Sequence, residues 1–259
     1  MPQIHLHAEP GDYAPVVLLP GDPGRATRMA ARLDGGLDAA RQVNANRGLL
    51  GYTGTLHGVP VSIQTTAMGT PTTSIVVEEL LMLGVTTLIR VGTCGGFPGT
   101  RTGDVVVALA AAANTGIGPV LGGSEATAPT ADLDVVTALV AASRAEGLTT
   151  HVGPIVTSDV FYDPHPAGHI RWGRRGYLAA EMESAAIFLL AMRERAKGRP
   201  VRAGTILSVS DVVIDPDAAG QPDATHDDTW FRLPEDELQA AVDLMVGAAL
   251  EAAAALGRG

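Results

Sequence analysis

The chain has 259 residues, is 46% hydrophobic and only 4% aromatic, and carries a formal net charge of −10 at pH 7. A field of that sign opposes binding to nucleic acid and to anionic membranes, so any anionic ligand must be captured by local arginines and backbone amides. The single cysteine, Cys94, excludes an internal disulfide and a multi-cysteine zinc cluster, and it suits a reducing cytoplasm.

The N-terminal segment has no basic stretch followed by an apolar core, so no secretory signal is expected. An apolar run at 16–19 reads as a strand, ends in Pro20-Gly21-Asp22-Pro23-Gly24-Arg25 and feeds a helix-like run at 25–33. Such a turn leaves backbone N–H groups at one point, and with an arginine they make an anion site. Residues 51–56 and 59–65 read as a hairpin around His57-Gly58, and 73–83 as a helix. Residues 87–91 form a buried strand that runs into a second glycine loop, Gly92-Thr93-Cys94-Gly95-Gly96, again with an arginine, Arg90. Strand 104–111, helix 133–146 ending at Gly147, strand 152–157, helix 184–197, strand 203–210 and a closing helix at 234–256 follow. That last helix is interrupted by Asp243 and Glu251, so no membrane span is expected. Residues 114–130 and 214–229 read as long loops. Alternating strands and helices predict one α/β domain over 1–259, a mixed or largely parallel sheet flanked by helices.

In open α/β sheets ligands gather beyond the carboxyl ends of the strands. Gly21 and Arg25, Met68-Gly69, Arg90 and Thr93, Ser158 to Tyr162, and Ser210-Asp211 all fall at such ends, and Glu181-Met182-Glu183 opens a helix. Taken singly, these residues have ordinary structural readings. The loop at 21–25 could be a plain strand-to-helix turn, Arg90 one half of a structural salt bridge, and Met68, Met182 and Phe161 core filler. Cys94 reads as a small buried hydrophobe.

Taken in order, seven segments resemble the nucleoside phosphorylases of the hexameric purine nucleoside and uridine phosphorylase type. They are PGDPGRA at 20–26, NRGLLGYTG at 46–54, AMG at 67–69, IRVGTCGG at 89–96, TSDVFY at 157–162, EMES at 181–184 and VSD at 209–211. The resemblance covers residues 5–211 and lies closest to members acting on purine nucleosides, 5′-methylthioadenosine phosphorylases included. It implies a mixed, distorted barrel-like sheet flanked by helices. It also implies phosphorolysis of a purine nucleoside to free purine and ribose 1-phosphate, with phosphate as co-substrate and no metal or organic cofactor.

The same resemblance assigns Gly21, Arg25, Arg90 and Thr93 to phosphate, joined by Arg47 from a neighbouring subunit of a homohexamer, a trimer of dimers. It gives His5, again from the neighbour, with Met68, Met182 and Glu183 to the ribose. Cys94, Gly95, Phe161 and Ser210 fall to the base, and Asp211 is the catalytic acid. The chemistry is coherent. Arginines hold and orient a doubly charged nucleophile. A carboxylate accepts two donors from a vicinal diol. An acid at purine N7 must hold its proton, which calls for desolvation or neighbouring negative charge.

Two departures stand out. Purine members of the family carry an assisting arginine a little over a dozen residues after the acid, whereas here none occurs until Arg232. After Phe161-Tyr162, where uridine-specific members carry Gln and Arg, the chain has His165 and Ala167. The acidic run at 215–228 reads as a lid over the base, so deleting 217–223 is expected to raise KM for nucleoside more than for phosphate. A uridine or methylthioadenosine phosphorylase, a hydrolytic nucleosidase and a non-catalytic nucleoside-binding protein are the competing readings. A nucleosidase would have no need of the arginine cluster.

Overall fold

The computed structural model describes residues 2–123, 127–163, 167–213 and 230–258. The lid expected at 215–228, and His165, lie outside the described residues. In chain order the elements are β1 (Val16–Pro20), α1 (Pro23–Ala30), α2 (Gly36–Ala39), β2 (Arg41–Asn44), a 3₁₀ turn (Asn46–Gly48), β3 (Gly51–Leu56), β4 (Val59–Gln64), α3 (Thr70–Met82), β5 (Thr87–Gly96) and β6 (Val105–Asn114). Then come α4 (Gly118–Gly122), α5 (Leu133–Ala145), β7 (Thr150–Ser158), α6 (Ala167–Gly173), β8 (Ala179–Glu181), α7 (Ser184–Ala196), β9 (Arg202–Val213), β10 (Trp230–Arg232) and α8 (Glu235–Gly257).

All ten strands join one mixed sheet in the order β10-β9-β6-β7-β8-β5-β1-β4-β3-β2, and an added β5–β9 pairing closes part of it into a ring. This is the barrel-like mixed sheet flanked by helices that the resemblance implies. β1 lies between β4 and β5, parallel to both. A strand covered on both faces has no polar side to alternate with, which is why Val16-Val17-Leu18-Leu19 is continuously apolar and every residue of β1 is buried.

Successive side chains of the central strands feed two cores on opposite faces. Val17, Leu19, Leu88 and Leu207 meet Leu80 of α3 and Phe188 of α7. Val16, Leu18, Ile89 and Ile206 meet Met29 of α1, Leu139 of α5 and Met245 of α8. Arg90, two residues beyond Leu88, therefore falls on the α7 side of the sheet. Helix α8 has the length and composition to cross a membrane. Its Met245, Ala249, Leu250 and Ala253 are instead buried in the second core.

Several expectations are corrected. β5 continues to Gly96, past its glycines, because β8 and β9 pair with that segment. α3 starts at Thr70, since a proline in the first turn lacks only an N–H that would be unpaired there. α1 ends at Ala30 rather than at 33. The loop expected at 114–130 contains α4. The short elements α2, β2, α6, β8 and β10 carry too few residues for a periodic signal, and tertiary pairing defines them.

Candidate active site

The carboxyl ends of β1, β5, β7 and β9 open onto a cavity of about 450 Å³. Gly21, Arg25, Met68, Arg90, Thr93, Cys94, Gly95, Phe161, Met182, Glu183, Ser210 and Asp211 all line it. Six segments far apart in sequence thus contribute to one cavity. His5 and Arg47, expected from a neighbouring subunit, are the two candidates outside that lining. The His5 ring is 2.7 Å from Glu79, through Nδ1. Arg47 sits in the 3₁₀ turn with φ of 57°.

At the β1 end, the turn into α1 is corrected in one respect. Asp22 is the N-cap, and its carboxylate accepts from the backbone N–H of Gly24 at 3.0 Å and of Arg25 at 2.7 Å. The helix N-terminus expected to hold an anion is already occupied by this side chain, as an aspartate before proline favours. This loop offers the cavity Gly21 and the Arg25 side chain. Arg25 donates from a terminal nitrogen to the Val91 carbonyl at 3.2 Å, while its Nε is buried without a partner among the described residues. Burial, and then the charge of Arg90, bring its pKa down to about 10. Gly21 keeps the turn tight, because a Cβ there would lie 3.0 Å from the Ala67 carbonyl oxygen.

Arg90 is held differently. Its Nε donates to Glu181 at 2.7 Å and a terminal nitrogen pairs with Glu183. Burial opposes its charge, but Glu183 and Glu181 outweigh that and hold the guanidinium above its ordinary pKa. The salt-bridge reading of Arg90 is therefore correct as far as it goes, and the same side chain also lines the cavity. Gly92 makes room for it: a Cβ there would sit 2.8 Å from the guanidinium carbon.

Glu181 is the residue that sequence reasoning passed over as a helix-end charge. Fully enclosed at the end of β8, it also accepts from Thr157 Oγ1 at 2.5 Å and from the backbone N–H of Glu183 at 2.9 Å and of Ser184 at 3.0 Å. The signal was available, since a carboxylate just before a helix reaches the free N–H groups of its first turn. Glu183 follows two residues later and accepts from the Gly69 N–H at 2.5 Å. Burial raises its pKa, and Arg90 pulls the other way without cancelling the effect.

At the far end, Asp211 lines the cavity beside Ser210, whose hydroxyl lies 2.6 Å from Asp211 Oδ1 and 3.1 Å from the Cys94 carbonyl. Ser210, expected at the base, lines the cavity, and its hydroxyl lies against the acid and the neighbouring strand. β10 sets Arg232 at the register position opposite Asp211. Cys94 is buried, in keeping with its reading as a small hydrophobe, and burial raises its thiol pKa well above the ordinary value. Phe161 and Met68 are largely exposed, at 64% and 80%, so in this chain they rim the opening rather than fill the core. His169 of α6, which sequence reasoning did not select, is buried in the same wall.

The arrangement is polarised. One end presents the half-buried Arg25 and the buried Arg90, the middle a desolvated carboxylate, and the other end an aspartate on a strand terminus beside an aromatic rim. It can hold an anion, a hydroxylated ring and a flat heterocycle in that order.

Residues 15–246 match the family described as Phosphorylase superfamily. A protein of Roseobacter denitrificans named purine nucleoside phosphorylase DeoD-type is 41% identical over 252 residues, covering 96% of this chain and 98% of its own length. Proteins of the same name from Geobacillus kaustophilus and Jannaschia sp. are 37% and 39% identical, each across 96% of this chain and 97% and 98% of their own lengths respectively.

Proposed function

The chain belongs to the phosphorylase superfamily, and we propose that it catalyses phosphorolysis of purine nucleosides, releasing the free purine and ribose 1-phosphate. The observation that carries this reading is the convergence of Arg25, Arg90, Glu183 and Asp211 on one cavity. Near-full-length relatives named purine nucleoside phosphorylase DeoD-type support it.

In this reading phosphate lies against Arg25, Arg90 and Thr93, with its approach to Gly21 unobstructed by a side chain. Arg25 is a desolvated cation, and a phosphate dianion compensates its charge. Glu183 accepts the 2′- and 3′-hydroxyls of the ribose, which Met68 and Met182 flank. Phe161 covers the base over Cys94 and Gly95. A phosphate oxygen then forms a bond to C1′ as the C1′–N9 bond breaks, and the bonding pair leaves with the purine. Asp211 gives its proton to N7, so the base departs neutral. The positive charge that builds on the sugar is balanced by the adjacent phosphate.

The reaction so written consumes phosphate and draws on no metal or organic cofactor. The enzyme works as a homo-oligomer, a hexamer built as a trimer of dimers, in the cytoplasm. His5 and Arg47, outside their own chain's cavity lining, then serve a neighbour's site, His5 at the ribose 5′-hydroxyl and Arg47 at phosphate.

The test is a turnover panel. Inosine, adenosine, guanosine, methylthioadenosine and uridine are each incubated with enzyme and phosphate, and free base is quantified. Phosphate-dependent turnover of at least one purine nucleoside, well above uridine, is expected. Turnover of uridine alone, or of none, would refute the assignment.

A further inference from the structure

Adjacent residues of a strand normally face opposite sides of the sheet. Ser210 and Asp211 are adjacent in β9, yet both line the same cavity. The register explains it. Along β5 and β9, Cys94 pairs with Val209 and the next residue, Gly95, pairs with Asp211, so Ser210 is the extra residue of a bulge. A bulge re-aims side chains, and bulges concentrate beside active sites. Here it brings the Ser210 hydroxyl to 2.6 Å from Asp211 Oδ1 and 3.1 Å from the Cys94 carbonyl oxygen.

We propose that Ser210 is a positioning residue for Asp211, acting through the carboxyl group rather than through the base. The proposal rests on the phosphorylase reading and deepens it. With its hydroxyl on Oδ1, Ser210 fixes the carboxyl plane from which Asp211 delivers its proton to the base. When that proton passes to N7, Asp211 becomes a carboxylate and the Ser210 hydrogen bond becomes charge-assisted. A bond that strengthens as the proton leaves stabilises the transition state more than the bound substrate. Ser210 therefore contributes to kcat on substrates whose base must be protonated, and little to phosphate binding.

The experiment compares Ser210→Ala, Ser210→Thr and Asp211→Asn with wild type on inosine and on 7-methylinosine, with saturating phosphate. The N7-methylated base already carries the positive charge that protonation would supply, so it departs without an acid. For Ser210→Ala, kcat on inosine is expected to fall about tenfold to a hundredfold more than kcat on 7-methylinosine. Asp211→Asn should show the same bias more strongly. Ser210→Thr, which keeps the hydroxyl, should recover most of the loss, and KM for phosphate should stay within about twofold. Equal losses on both nucleosides, or no recovery by threonine, would overturn the positioning role. If the wild-type enzyme cleaves no purine nucleoside in the presence of phosphate, the phosphorylase reading itself fails and this role falls with it.

Discussion

Glu181 holds Arg90 from behind: the 2.7 Å bond runs from the guanidinium Nε to Glu181 Oε2, and both side chains are nearly sealed from solvent. One carboxylate thereby orients the guanidinium and joins β8 to the start of α7. Removing it leaves the Arg90 Nε and two backbone N–H groups, those of Glu183 and Ser184, without their acceptor. Glu181→Ala should lower unfolding free energy by about 3–5 kcal/mol, the cost of breaking a buried pair. Urea unfolding measures it, and a loss under about 1 kcal/mol would show that Arg90 has other support.

Arg25 should behave in the opposite way. A half-buried cation whose enclosed Nε has no partner among the described residues costs stability until an anion arrives. Arg25→Met should be neutral or more stable than wild type in phosphate-free buffer, while KM for phosphate rises roughly a hundredfold, the scale of a lost charge-assisted contact. Wild type should gain thermal stability on titration with phosphate and the variant should not. Thermal melts with and without phosphate, alongside steady-state kinetics, decide it.

The two ends of the pH range should fail for different reasons. Arg25 holds anions only while protonated, and its pKa is lowered to about 10. kcat/KM for phosphate should therefore fall as pH rises above about 10. The folding cost of the same buried charge applies below that pH and is relieved above it, so the loss would be one of binding and not of unfolding. In the proposed reading Glu183 accepts the ribose hydroxyls as a carboxylate, and burial raises its pKa. As pH falls, KM for nucleoside should rise earlier than an ordinary glutamate would allow. A profile in which both constants change together at each end would contradict these assignments.

Gly92→Ala tests the space beside Arg90. The added Cβ would stand 2.8 Å from the guanidinium carbon and 3.0 Å from a Leu207 methyl. Arg90 must then move, so KM for phosphate should rise at least about tenfold with a stability loss of about 1–3 kcal/mol, typical of overpacking. Steady-state kinetics and urea unfolding would show it, and unchanged phosphate kinetics would place Arg90 outside the anion site.

Much of this was legible in the chain itself. Val16-Val17-Leu18-Leu19 and Leu88-Ile89 announced buried strands, because a strand covered on both faces reads as a continuous apolar run. Their glycine loops marked where the cavity opens. Glu181 was visible but undervalued, since its role depends on Arg90 and Thr157, which are close only in three dimensions. The bulge at Ser210 left no local signature, because it exists only in the β5–β9 register. The Asp22 cap could have been read from aspartate preceding proline at a helix start. β8 and β10, three residues each, are too short for alternation to declare them.

The most direct measurement concerns the nucleophile. Inosine is cleaved in ¹⁸O-labelled water with unlabelled phosphate, and the sugar product is examined by ³¹P NMR and mass spectrometry. Ribose 1-phosphate with no ¹⁸O at C1, and no cleavage when phosphate is left out, is the expected result. Free ribose bearing ¹⁸O at C1, released at the same rate without phosphate, would mean that water attacks and that Arg25 and Arg90 do not present a phosphate nucleophile.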